Sequence, residues 1–179
     1  DIMRIVVITG SAHKHGTSAL LADKFIEGAT EAGHEVYRFD AAFRNVRGCL
    51  GCDTCINKGK GCVHKDDMEE LNPHLLESDA IVFASPIYYY NINAQLKAVI
   101  DRFYANNAAL QGGRKSALLL TMADDCLESA EGPMAFFNNF TKYMKWENRG
   151  VIAAMNSWRR EDIEQSEYPQ QAYELGKNF

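Results

Sequence analysis

Residues Arg4–Leu21 read RIVVITGSAHKHGTSALL. The first six, Arg4–Thr9, form a short β-branched run closed by Gly10, the composition of a strand buried on both faces. From Thr17 the period changes. Leu20, Leu21, Phe25 and Ile26 recur at helical spacing through Ala32, and Gly33 supplies a stop. Strand, glycine-bearing loop and helix in immediate succession open a βα unit, and the rest of the chain repeats that alternation.

Glu35–Phe39 reads as a second strand, and Asp66 or Asp67 caps a helix through Glu77 with Met68, Leu71, Leu75 and Leu76 on one side. Ala80–Ala84 is a third strand, stopped by Ser85-Pro86, and Asn93–Tyr104 a helix. Ser116–Thr121 is a fourth strand, Pro133–Trp146 an aromatic-rich helix, Gly150–Ala154 a short fifth strand, and Tyr168–Leu175 the last helix. Five strands alternating with helices predict an α/β fold, with a parallel sheet covered on both faces in three layers. Ligands of such sheets sit at the carboxyl ends of the strands, so the informative loops follow Thr9, Ala84 and Thr121. Residues 3–179 are expected to form one domain. Its one long irregular connection, residues 41–65, has the length of a functional loop.

Composition narrows the function. A net charge of −5 and a pI near 5.5 argue against nucleic acid or an anionic membrane as the main partner. No apolar run approaches the roughly 18 residues of a membrane span, and DIMRIVVITG has no signal-peptide architecture. Five cysteines, odd in number and mostly clustered, do not read as a secreted disulfide framework; a reducing cytoplasm is expected.

Three segments carry chemistry. The loop after the first strand is neither G-x-G-x-x-G nor a Walker motif. It sets Ser11, Thr17 and Ser18 hydroxyls and the donors His13, Lys14 and His15 at a helix N-terminus, a site suited to one phosphate. The competing reading is an ordinary turn with Thr17 or Ser18 as N-cap. After the third strand, SPIYYYN places Tyr88, Tyr89 and Tyr90 where a flat heteroaromatic ligand would be stacked and hydrogen-bonded, or where a subunit would dock. In GCLGCDTCINKGKGC, Cys49, Cys52, Cys55 and Cys62 have the spacing of ligands to an iron–sulfur cubane more than to zinc; free or redox-active thiols are the alternative.

Together the GSxxxxGTS-like loop, the SP-x-Y segment leading into NAQLKAVIDRF, and the GC-x2-C…GC-x3-DDM stretch resemble the flavodoxin-like NAD(P)H-dependent FMN reductases, and within them the iron–sulfur flavoproteins. The resemblance runs from Arg4 to about Trp146. It implies a flavodoxin-like fold with strand order 2-1-3-4-5, bound FMN, and a homodimer or homotetramer. By position, Ser11, His13, Thr17 and Ser18 would hold the FMN phosphate. Pro86, Ile87, Tyr88, Tyr89, Tyr90 and Asn91 would lie along the ribityl chain and ring, with Thr121 at the end of the fourth strand beside them. Cys49, Cys52, Cys55 and Cys62 would ligate a [4Fe–4S] cluster. The implied activity passes electrons from NAD(P)H or ferredoxin to a flavin, quinone or other small molecule. A non-enzymatic flavin electron carrier, or a flavoprotein with a structural zinc loop or redox thiols, stays open. Two departures stand out: His13 replaces the family's usual Arg, and Asp124 and Asp125 are expected to bring negative charge toward the flavin. Cys126 is expected to pack apolarly.

Overall fold

All 179 residues are described by the structure, a computed structural model. Strands β1 (Arg4–Thr9), β2 (Glu35–Asp40), β3 (Ala80–Tyr88), β5 (Lys115–Thr121) and β6 (Glu147–Ala154) run parallel in the order β2-β1-β3-β5-β6. A two-residue strand, β4 (Asn91–Ile92), folds back antiparallel on the end of β3. The expected order of the five parallel strands is therefore found. The expectation of only five strands is corrected by the short β4, whose two residues carry no periodicity to read.

Side chains alternate across the sheet, as the strand period requires. On one face Val6, Ile8, Ile81, Phe83, Leu118 and Leu120 pack against α3 (Met68–Glu77), α4 (Ala94–Asp101) and α6 (Glu131–Met144). On the other, Ile5, Val7, Val82, Ala84, Leu119 and Ile152 pack against α1 (Thr17–Glu31), α7 (Arg160–Glu164) and α8 (Tyr168–Lys177). The remaining helices are α2 (Thr54–Lys58), inside the cysteine loop, and α5 (Asn107–Leu110). Helices α1 and α8 cross at two glycines. A Cβ on Gly28 would lie 2.1 Å from the Tyr173 carbonyl oxygen, and one on Gly176 would lie 2.1 Å from that of Phe25.

Three elements have a boundary that differs from the sequence reading by three residues or more. β3 continues through Ser85-Pro86 to Tyr88, because pairing with β1 ends at Ala84 while pairing with β5 runs on to Pro86. Past Ala84 the strand has one neighbour, and the missing Pro86 N–H leaves no ladder bond unmade on the open side. β6 begins at Glu147 rather than Gly150: a bulge sets Arg149 and Gly150 against one position of β5, with Gly150 at φ 130°. The helix after β3 ends at Asp101 and passes into a 3-10 turn over Arg102–Asn106.

Candidate functional site

A cleft of about 650 Å3 opens at the carboxyl edge of the sheet, within the range of small-molecule sites. The β1–α1 loop supplies Ser11, His13, Lys14, His15 and Thr17; the end of β3 supplies Pro86, Ile87 and Tyr88; the end of β5 supplies Thr121, Met122 and Ala123. Helix α1 starts at Gly16 with no side chain capping it, so the N–H groups of its first turn remain available at the cleft floor. The turn is tight: a Cβ on Gly16 would lie 2.8 Å from that of His13. Ser11 Oγ accepts the His13 N–H at 3.0 Å, and the Thr17 hydroxyl donates to Thr121 Oγ1 at 2.9 Å. Unpaired donors, hydroxyls and a helix N-terminus in one cradle fit a phosphate monoester, and the open space toward Ile87 and Tyr88 fits a ring system attached to it.

Seven of the eleven cofactor residues expected from sequence meet in this cleft: Ser11, His13, Thr17, Pro86, Ile87, Tyr88 and Thr121. Ser18 is buried one turn behind, beside Arg38 and Asp40. Tyr89, Tyr90 and Asn91 lie outside it, on the β3–β4 hairpin. Tyr89 and Tyr90 form its two-residue tip at φ 48° and 65°, and Asn91 Oδ1 accepts the Ile92 N–H. Both tyrosine side chains face solvent, Tyr89 at 98% exposure.

Asp124 and Asp125 do not line the cleft. The Asp124 carboxylate turns back into its own loop, accepting the Ser129 hydroxyl and the Asp125 N–H, and these bonds lower its pKa. No carboxylate lines the cleft at all, and its charged rim is basic. Cys126 is half-exposed rather than packed apolarly. Its thiol donates to Glu128 at 2.8 Å, and that carboxylate pushes its pKa up.

Sequence reasoning missed two groups. The first is Asn93, 2% exposed, whose amide donates to the Gly10 carbonyl at 2.6 Å while its carbonyl accepts the Ser85 hydroxyl. It binds the β1 loop to the end of β3. The second is Ser157–Arg160 after β6, which forms a whole wall of the cleft. The signal was present as SWRR past a strand end, the same rule that singled out the other three loops.

The cysteine loop stands apart, and none of its thiols lines the cleft. Its two ends are stitched together. Asp66 and Arg102, with side chains 1% and 2% exposed, form a two-pronged ion pair at 2.7 and 3.2 Å. Asp66 also accepts the Arg47 N–H, Arg102 donates to the Arg47 carbonyl, and Asn45 and Asp67 exchange a further pair of bonds. Burial alone would raise the Asp66 pKa, but the bonds from Arg102, Arg47 and Met68 hold it below the ordinary carboxylate value. Beyond this clamp Tyr104 donates to Asp53 at 2.7 Å. Cys49 and Cys52 are exposed, Cys55 and Cys62 half-buried, and bonds from Thr54 favour the Cys52 thiolate. No three His, Cys, Asp or Glu side chains converge on a point that could hold a metal, so the four sulfurs do not form a cage in this conformation. No helix is long and apolar enough to cross a membrane.

Comparison with known proteins agrees with this fold. The sequence pattern of NADPH-dependent FMN reductases matches residues 3–145. An iron–sulfur flavoprotein of Archaeoglobus fulgidus is 39% identical over 112 residues, 62% of this chain and 50% of that protein. One of Methanocaldococcus jannaschii is 36% identical over 63% of this chain and 58% of its own length. The chain thus spans about half the length of the curated relatives it matches. Among solved structures, an NAD(P)H:quinone oxidoreductase from Methanothermobacter marburgensis superposes with a TM-score of 0.77 at 19% identity, over 99% of this chain and 96% of the other.

Proposed function

The chain belongs to the NADPH-dependent FMN reductase family, and from that premise we propose that it binds FMN in the sheet-edge cleft and passes electrons from NAD(P)H or ferredoxin to a small-molecule acceptor such as a flavin or quinone. One observation carries the reading: the uncapped N-terminus of α1 opens into a carboxylate-free cleft whose floor is lined by Ser11 and Thr17 and whose rim is basic. When bound, the flavin supplies the redox chemistry, accepting a hydride and releasing electrons in pairs or singly. The protein's part is placement. The first-turn N–H groups and the Ser11 hydroxyl, whose proton is free, hold the phosphate, the Thr17 hydroxyl ties the start of α1 to Thr121, and Asn93 keeps the β1 loop registered against β3. Pro86, Ile87 and Tyr88 offer the ring an apolar flank that excludes water. No side chain in the cleft is required as an acid or base.

In this reading residues 3–179 act as one FMN-binding domain. The exposed Tyr88–Tyr90 hairpin supports assembly as a homodimer or homotetramer, which light scattering at micromolar concentration tests. For the thiols, soft donors on one loop and the names of the relatives support a [4Fe–4S] cluster on Cys49, Cys52, Cys55 and Cys62, but the sulfurs as placed do not fit one. Binding would require the 49–62 segment to close around the metal. Iron and acid-labile sulfide, assayed without oxygen, decide that point independently of the flavin.

The flavin reading is tested by titrating FMN and FAD into the protein and following flavin fluorescence. A stoichiometric FMN complex that oxidises NAD(P)H with a quinone supports it. Absence of any flavin complex overturns it. An FMN complex inert to NAD(P)H, but reduced by a one-electron donor, would make the protein a carrier.

A further inference from the structure

Three strand-end loops meet at the wall after β6. The Ser157 N–H donates to the Met122 carbonyl at 2.8 Å, and the Asn156 N–H to the Asp124 carbonyl at 2.9 Å, fastening the turn to the loop after β5. Arg160 reaches across 145 residues of sequence to donate Nη1 to the His15 carbonyl at 3.0 Å, while Glu164 holds its Nε at 2.7 Å. The peptide it grips is the one that leads into Gly16 and the first turn of α1. Arg159 is different. Its backbone N–H is bound by Asp162 at 2.8 Å, but its guanidinium is exposed, lines the cleft and meets no carboxylate. Arg4, Arg38, Arg44, Arg149 and Arg160 each pair with an acid, whereas Arg47 and Arg114, which lie outside the cleft, do not. The cleft lining adds the cations Lys14 and Arg160 and the ring donors of His13 and His15, while the nearby Asp162 carboxylate, outside the lining, is taken by the Arg159 backbone N–H.

A guanidinium with no side-chain partner, in a lining that holds two other cations and no carboxylate, presents five free donors to an anion entering the cleft. We propose that the Trp158–Arg160 turn recognises the FMN phosphate, with Arg159 as a direct ligand and Arg160 as a positioning residue. Arg160 acts through the His15 carbonyl, fixing the loop so that the α1 N–H groups point at the same anion. The phosphate is then held from two sides, by the helix N-terminus below and a planar five-donor side chain above. The inference rests on the flavin reading and goes beyond it. It makes this far segment the part of the site that discriminates FMN from riboflavin, which shares the ring but lacks the phosphate.

Trp158 supplies the readout. It is 75% exposed in the cleft wall, whereas Trp146 is 6% exposed, so flavin entry should quench Trp158 emission. The whole protein, freed of flavin, is titrated with FMN and with riboflavin. Arg159→Ala is expected to raise the FMN dissociation constant about tenfold, equivalent to about 1.4 kcal/mol, while riboflavin affinity changes less than about twofold. Arg159→Lys should restore part of the difference, since it keeps the charge without the fork. Arg160→Gln should weaken FMN, and inorganic phosphate as a competitor, but not riboflavin. Wild-type affinity for FMN in Arg159→Ala, or equal loss of FMN and riboflavin, would overturn the proposal and leave the flavin reading intact. A parent protein that binds neither flavin would overturn both.

Discussion

Asn93 shows how much one buried amide can organise. Its side chain joins the Gly10 carbonyl, the Gln95 side chain and the Ser85 hydroxyl, and its N–H donates to the same Ser85 Oγ at 3.0 Å. Gly10 must lack a side chain, since a Cβ there would lie 1.9 Å from Asn93 Oδ1. Replacing Asn93 by Ala strands buried polar partners, and about 1–3 kcal/mol of stability should be lost in urea denaturation, together with FMN affinity. Asp66 and Arg102 pose a sharper test. Breaking one side of a buried pair costs about 3–5 kcal/mol, so Asp66→Asn should lower stability by an amount of that order. It should also expose the 45–67 segment to protease before the sheet unfolds. The pH dependence has a definite sign. The Asp66 pKa is lower in the folded protein than in the unfolded chain, so its stabilisation is complete above the ordinary carboxylate range. It is lost as pH falls through the depressed folded value. Acid titration of the urea midpoint should show that loss in the parent protein and a smaller one in Asp66→Asn.

Among the elements, the β3–β4 hairpin carries the plainest conflict between local preference and structure. A two-residue turn with both central residues at positive φ favours Asn-Gly, yet here it is Tyr89-Tyr90. Each L-residue in that conformation costs about 1 kcal/mol, and exposed rings regain little of it. Tyr89→Asn with Tyr90→Gly should therefore raise stability by about 1–2 kcal/mol in denaturant. If the double variant loses association in light scattering, the rings were retained for docking. Helices α1 and α8 show the opposite case, where local cost is accepted for packing. Gly28 and Gly176 each lower helix propensity, but they let the two backbones touch. Gly28→Ala should cost at least about 1–3 kcal/mol through overpacking, despite alanine's better propensity.

At the scale of the whole molecule, charge is unevenly spread. The chain carries a net charge of −5, yet the cleft rim holds His13, Lys14, His15, Arg159 and Arg160 with no acid among them. A cationic cleft in an acidic protein attracts phosphorylated ligands and keeps the rest of the surface unattractive to polyanions. FMN association should accordingly slow as salt rises, while riboflavin association should not, a contrast stopped-flow fluorescence can measure.

The sequence by itself determined the alternation of elements and most of the cleft floor, from local periods and from the rule that ligands sit at strand ends; the order of the parallel strands came only through the resemblance to a family. RIVVIT could only be a doubly buried strand, and Ser11, His13 and Thr17 had to follow it at the sheet edge. Tertiary structure alone decided which distant residues share a site. Arg160 lies 145 residues from His15, and Arg102 lies 36 from Asp66; no period or spacing encodes such a meeting. It also turned Asp124 away from the cleft, a side-chain direction set by the Ser129 hydroxyl. The cysteine spacing announced four soft donors on one loop, but where four sulfurs point depends on backbone dihedrals that a glycine-rich segment leaves free, and that freedom is why the motif could be read while its geometry could not.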